Sequence, residues 1–192
     1  MWNVVPESLS RRRQGRVAGT VPVVPVIERL RLDHAAAVLV FERENRAYFA
    51  ASVSDRGDDY FTDFRQRHRA LLAEQATGTC HFHVVVGDGG EVLGRVNLVD
   101  VADGSAELGF RIAEKAAGQG LATAAVRQLC AMAARDYGLG SLRASAATDN
   151  LGSRAVLGHV GFTPTGEEVL LAGRPGLRYL LRLADLAPID VR

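Results

Sequence analysis

The chain has 192 residues, 47% of them hydrophobic, enough to close one domain around a full core. Its net charge of +1 favours neither nucleic acid nor an anionic membrane as a partner. No apolar run reaches the ~18 residues of a membrane span, and the arginines at 11–13 are not followed by the apolar core and cleavage site of a signal peptide. Of 23 basic residues only Lys115 is a lysine, an arginine bias that fits GC-rich codon usage and lacks the lysine enrichment of hyperthermophiles. Cys80 and Cys130 sit in apolar-periodic segments and read as reduced core residues of an intracellular protein.

Residues 1–22 are basic and punctuated by Pro and Gly, an arm expected to be disordered, and 23–192 are expected to form the single domain. Residues 26–32 read as a strand, followed by a helix from His34 to Glu44 capped by Asp33. A second helix is predicted over 60–76, ended by Gly78. Strands follow at 79–86, 91–99 and 105–112, the first two joined by a glycine-rich hairpin turn at 87–90. A helix is predicted over 119–137, a strand over 141–147, a helix over 151–160, and strands over 163–171 and 177–183. Consecutive strands in the middle argue for an antiparallel half, and the later strand–helix–strand alternation for a parallel pair. The fold class is α/β (α+β), a mixed sheet of six to seven strands with about four flanking helices.

The densest chemical signal lies between Ala106 and Tyr137. Ala106, Leu108, Phe110 and Ile112 alternate with Glu107, Gly109 and Arg111, as in a half-buried strand. From Leu121 the period becomes helical, with Ala122, Ala125, Val126, Leu129, Met132 and Ala133 on one face. Between them lie Lys115, Gly118 and Gly120, with no side chain placed to cap the helix. An uncapped helix start leaves backbone N–H donors and the positive dipole end pointing outward, and glycines let a phosphate come close. A dinucleotide fingerprint is the competing pattern. It needs a third glycine or alanine where Thr123 stands, and a buried parallel strand where this one alternates.

Lys115-x-x-Gly118-x-Gly120 resembles the pyrophosphate-binding signature of the GNAT superfamily of acetyltransferases, with lysine at a position usually occupied by Gln or Arg. The strand containing Glu107, Gly109 and Arg111 is similar to the family's fourth strand. Asn150, Ser153, Val156, Leu157, Gly161 and Phe162 are similar to a pattern that follows its fifth. The segment from Phe41 to Phe49, with Asp58, Asp59 and Tyr60, looks like the first helices of the ribosomal-protein N-terminal acetyltransferase branch.

The resemblance implies a GNAT fold with splayed fourth and fifth strands and acetyl-CoA as co-substrate, without a metal. It implies backbone contacts to pantetheine near Phe110, Arg111 and Ile112. Pyrophosphate contacts would come from Ala116, Ala117, Gly118, Gln119, Gly120, Leu121 and Ala122, with Thr123 as a hydroxyl donor. Lys115 and Arg154 would meet outer phosphates. Asn150 would bind pantetheine, or cap its helix, or both.

Glu107 is the candidate general base, acting through a water. The alternative is a strand carboxylate paired with Arg111 on the same face. Many family members use a tyrosine seven residues after the asparagine to protonate the leaving thiolate. Here that position is Leu157, so Ser153 is the candidate helper, or else a first-turn serine bonding backbone. An α-amine has a pKa near 8, so about a tenth is neutral at pH 7, far more than of a lysine side chain. The resemblance to the ribosomal-protein branch, with this pKa beside it, implies acetylation of a peptide or protein N-terminus in the cytoplasm, by a monomer or homodimer. A small-amine acetyltransferase and a non-catalytic acyl-CoA sensor are the alternatives. Glu44, Asp58, Asp59, Tyr60 and Glu167 are candidates to meet the amine.

The remaining polar residues read as structural. His81 and His83 share a strand face but lack a second pair of metal ligands. His159 reads as a helix-end cation, and Arg65, Arg67 and Arg69 as a solvated helix face.

Overall fold

The computed structural model describes residues 26–186; the arm at 1–22 lies outside the described residues. Among these described residues seven strands form one sheet in the order β1-β2-β3-β4-β5-β7-β6. They are β1 (Val26–Arg29), β2 (His81–Val86), β3 (Val92–Ala102), β4 (Ser105–Ile112), β5 (Ser141–Ala147), β6 (Thr163–Leu171) and β7 (Arg174–Arg182). β1 to β4 are antiparallel neighbours, β4 and β5 are parallel, and β7 lies antiparallel between β5 and β6. The antiparallel half and the parallel pair are those the element order implied.

Among the described residues six helices flank the sheet: α1 (Ala35–Glu44), α2 (Arg46–Ala50), α3 (Asp58–Thr62), α4 (Phe64–Ala76), α5 (Leu121–Arg135) and α6 (Leu151–Val160). The apolar stripe of α5 buries Ala125, Val126, Leu129, Cys130 and Ala133 against Leu108 and Phe110 of β4. Burial of each large aliphatic side chain stabilises by about 1.5–3 kcal/mol. Helix α6 joins the same layer through Val156, Leu157 and Val160. The opposite face of β2 and β3 is covered by Val38, Phe41, Phe49, Tyr60 and Phe64 of α1 to α4.

Several boundaries differ from the pattern. The expected helix at 60–76 is two helices, broken at Asp63, where Thr62 donates its hydroxyl to the Asp58 carbonyl. A side-chain oxygen competing for a helical carbonyl weakens continuity there. Asp33 does not cap α1. It lies in the 3-10 turn Leu32–His34 and takes the Arg31 guanidinium instead. The short α2 begins where Asn45 donates its amide back to the Phe41 carbonyl at 2.8 Å. β3 runs three residues past the expected end, across an irregularity that puts Asp100 at φ 52°. β7 starts at Arg174 because Ala172 and Gly173, at φ 50° and 83°, make a tight hairpin with β6. By contrast β4, β5, α6 and β6 begin and end where expected.

Candidate active site

The site is built on a break in the sheet. β4 and β5 pair from Ser105–Ser141 as far as Leu108–Ala144, and no further. Beyond that rung β4 continues along β3 to Ile112, while β5 continues along β7 to Ala147. The two strands therefore splay into a V whose inner edges, residues 109–112 and 145–147, are not paired with each other. Such edges are a template for an extended ligand to add as a strand.

At the wide end of the V, β4 leads through the 3-10 turn Glu114–Ala116 into the glycine turn and α5. Gly118 and Gly120 have φ of 74° and 79°, and a Cβ at either would meet nothing within 4 Å. Gly120 is the N-cap of α5 and, as expected, no side chain caps the helix. The turn is thus open, with the helix donors pointing outward. Lys115 is exposed beside it, and Thr123 is half-buried in the first turn of α5. Asn45 Oδ1 accepts the Glu114 N–H at 2.9 Å, tying the α1–α2 corner to this connection.

Phe110 and Ile112 turn their side chains into the core, so only their backbone faces the V. The Arg111 side chain is also buried, but on the other face, where its Nη1 donates to Glu42 Oε2 at 3.2 Å. Glu42 accepts Arg95 Nη1 on its second oxygen at 3.1 Å. Arg111 is therefore not the partner of Glu107. It is drawn to a carboxylate on α1 that the strand pattern alone did not single out.

Glu107 instead looks into an open cavity of about 570 Å³ on the sheet face opposite α5, walled by β3 to β7. Ser145 donates its hydroxyl to Glu107 Oε1 at 3.1 Å. Arg143 Nε and Arg178 Nη1 stand 3.8 Å and 3.7 Å from Glu107 Oε2. Burial pushes the Glu107 carboxyl above the usual value, and the Ser145 hydrogen bond and the two guanidiniums offset part of that rise. Val99, Asp100, Glu167, Val169, Leu170 and Leu171 complete the wall. Of the acidic residues expected near an amine, only Glu167 lines this cavity. Asp58 pairs with Arg46, and Tyr60 is buried under Arg56. Ser145, Arg143 and Arg178 were missed from sequence. The first two share the Glu107 face by strand alternation, a signal that needs the β4–β5 register to be read.

Asn150 caps α6, accepting the Ser153 N–H at 3.0 Å. Ser153 is fully buried in that first turn, on the α5 side of the sheet, and Leu157 is core. Arg154 donates to the Thr148 carbonyl at 2.9 Å and to the Tyr179 hydroxyl at 3.2 Å. Glu107 and Ser153 thus sit on opposite sides of the V. Other sequence candidates have structural surroundings. His81 stacks on Tyr137 at 3.7 Å, and His83 Nε2 is 2.7 Å from the Tyr137 hydroxyl. Cys80 and Cys130 are buried free thiols. Among the described residues no helix is long and apolar enough to cross a membrane.

The model of the acetyltransferase (GNAT) domain family matches residues 26–163. The chain belongs to the GNAT family. It is an N-acetyltransferase, and members of this family use acetyl-CoA. The probable N-acetyltransferase YjcK of Bacillus subtilis (strain 168) is 28% identical over 143 residues, spanning 71% of this chain and 79% of that protein. Among solved structures, ribosomal-protein-S5-alanine acetyltransferase from Vibrio fischeri superposes with a TM-score of 0.77 at 18% identity, over 84% of this chain and 94% of that one. Mycobacterium smegmatis RimJ, in complex with CoA-disulfide, gives 0.76 at 25% identity, over 84% and 83%. These are the structures of the branch that the first helices resembled. The open glycine turn, the uncapped α5 and the unpaired strand edges of this GNAT protein fit acetyl-CoA.

Proposed function

We propose that this GNAT enzyme acetylates the α-amine of a peptide or protein N-terminus, with Glu107 as the general base. The observation that carries the proposal is the Glu107 carboxylate. It is half-buried, its pKa is raised by burial, and it faces a cavity that adjoins the V. A base with a pKa raised toward neutrality transfers protons more effectively near pH 7 than an ordinary carboxylate. Such a base is adequate for an α-amine, already about a tenth neutral at pH 7, and poorly matched to a lysine amine. Fold likeness to ribosomal-protein acetyltransferases supports the same acceptor class, and a cytoplasmic setting goes with it.

In this reading acetyl-CoA supplies the acetyl group as an activated thioester. Amides of Gln119, Gly120, Leu121 and Ala122, with the Thr123 hydroxyl, hold the pyrophosphate beside Gly118, whereas the Ala116 and Ala117 N–H groups donate to the Ala113 and Glu114 carbonyls at 2.9 Å and 3.1 Å. Lys115 and Arg154 face the outer phosphates. Backbone groups of Phe110, Arg111 and Ile112 hold the pantetheine arm as an added strand, and an N–H there polarises the carbonyl. Glu107 draws the proton from the acceptor amine through a water. Asn150 keeps α6 in place while Ser153 offers a hydrogen bond to the departing sulfur, since Leu157 carries no proton to give.

The test is acetyl-CoA turnover with a set of N-terminal peptides, the same peptides with blocked N-termini, and small amines. Turnover of the free N-terminal peptides alone is the expected result. Turnover confined to small amines or to internal lysines refutes the acceptor assignment.

A further inference from the structure

Two arginines crowd the carboxylate that is to receive a cationic amine. Arg143 and Arg178 both lie within 4 Å of Glu107 Oε2, on the wall of the same cavity. An acceptor that is only a cation meets like charge there, and a polyamine would meet it repeatedly. The two guanidiniums are not equally engaged. Arg178 also reaches Glu167, at 3.1 Å. Arg143 approaches Glu107 only at 3.8 Å, beyond a hydrogen bond, and its side chain is 39% exposed. Its planar fork is therefore open to a ligand, and that fork matches a carboxylate.

We propose that Arg143, with Arg178 beside it, binds a carboxylate that the acceptor carries within about one residue of its reacting amine, while Glu107 takes the amine. This rests on the reading of the Glu107 cavity as the acceptor site. The spacing follows from the wall. Its opposite charges are less than 4 Å apart, so an extended acceptor engages both only when its charges lie within about one residue, ~3.3–3.6 Å of chain plus a short side chain. A peptide whose first or second residue is acidic satisfies this, and so does a free amino acid.

The arrangement also couples recognition to chemistry. The guanidiniums hold back the rise that burial gives to the Glu107 carboxyl. An acceptor carboxylate that engages them weakens that restraint, so Glu107 becomes the stronger base when the matching acceptor is bound. Arg178 is shared between Glu107 and Glu167, whereas Arg143 has only the 3.8 Å approach to Glu107, so the more open fork is Arg143. The carboxylates on the wall, Asp100, Glu107 and Glu167, keep the cavity from being a plain anion site.

The experiment compares kcat/KM for three otherwise identical N-terminal peptides with Asp, Asn or Lys as second residue. Glycine, glycinamide and ethylenediamine form the small-molecule set. A charge-assisted contact predicts roughly a ten- to hundredfold preference for Asp over Asn, with Lys lowest, shrinking as salt is added. Arg143→Glu should invert the order to favour Lys, with CoA affinity and circular dichroism unchanged. A merely structural arginine would lower all three peptides together. Equal rates for the three peptides in the wild type overturn the carboxylate proposal and leave N-terminal acetylation standing. Turnover of the small amines alone overturns the peptide reading, and the order of glycine against glycinamide and ethylenediamine then decides the carboxylate proposal by itself.

Discussion

Replacing Glu42 by Gln changes one atom in the buried centre that joins α1 to the sheet. Glu42 is 2% exposed and accepts hydrogen bonds from Arg95 at 3.1 Å and Arg111 at 3.2 Å, with Arg56 3.8 Å away. One buried carboxylate therefore faces three guanidiniums. The amide keeps the volume, removes the buried negative charge that these guanidiniums face, and turns an N–H toward a cation. Breaking a buried ion pair from one side costs about 3–5 kcal/mol. For a chain of this size each kcal/mol moves the melting temperature by about 2–4 °C, so Glu42→Gln should melt ~6–20 °C lower.

The pH dependence gives a second reading of the same group. Burial raises the Glu42 carboxyl pKa, but the attraction of Arg111, Arg56 and Arg95 outweighs it, and the net shift is downward from 4.5. A lowered pKa means that the contribution is full above the unfolded value and disappears as pH falls through the folded one. Urea unfolding at pH 7, followed by circular dichroism, should show the full gap between wild type and variant, and the gap should close in acid. Asp136→Asn, which removes a surface partner of Arg135, should leave the midpoint unmoved. A Glu42→Gln loss under about 1 kcal/mol at pH 7, or a gap that persists in acid, would refute this account of the cluster.

Glu107→Gln should lower turnover by about 10²–10⁴ at pH 7 with CoA affinity retained, and the deficit should shrink at high pH as the amine deprotonates unaided; wild-type rates at pH 7 would mean that the carboxylate is only structural. Gly120→Asp should abolish CoA binding by calorimetry. Gly120→Asn, which tolerates the same left-handed backbone without the charge, should keep most of it, so equal losses would remove the phosphate site from this turn. Ser153→Ala should slow single turnover only about three- to tenfold, the worth of one neutral hydrogen bond, and a thousandfold fall would make the serine an obligatory acid. His83 is held neutral by burial, with its pKa pushed down to about 4, so the unfolded chain binds a proton near pH 6.5 that the folded chain does not. Stability should thus fall by on the order of 2–3 kcal/mol between pH 6.5 and 4, and His83→Gln should flatten that slope in urea titrations; an unaltered slope would show that another group carries it.

The sequence by itself determined what depends on a short window. The alternation of Ala106, Leu108, Phe110 and Ile112 and the change to a helical period at Leu121 are local, and β4 and α5 lie there. The glycine turn was equally legible. Left-handed backbone at Gly118 and Gly120 is a one-residue property, and an uncapped helix start follows from the absence of a nearby side-chain acceptor. Where a local competitor acted, the pattern misled: Thr62 ended α3 early, and Arg31 took Asp33 from its cap.

Partners across the sheet were decided only by the tertiary structure. Glu107 and Arg111 share a strand face four residues apart, yet β4 passes first beside β5 and then leaves it. Glu107 therefore faces Ser145 and Arg143, whereas Arg111 lies under α1 and meets Glu42. Arg178 reaches the site because β7 inserts between β5 and β6 and pairs Arg178 with Ser145. Strand order and register are set by the whole core, through which faces can be buried together, and no periodicity within one strand carries that information.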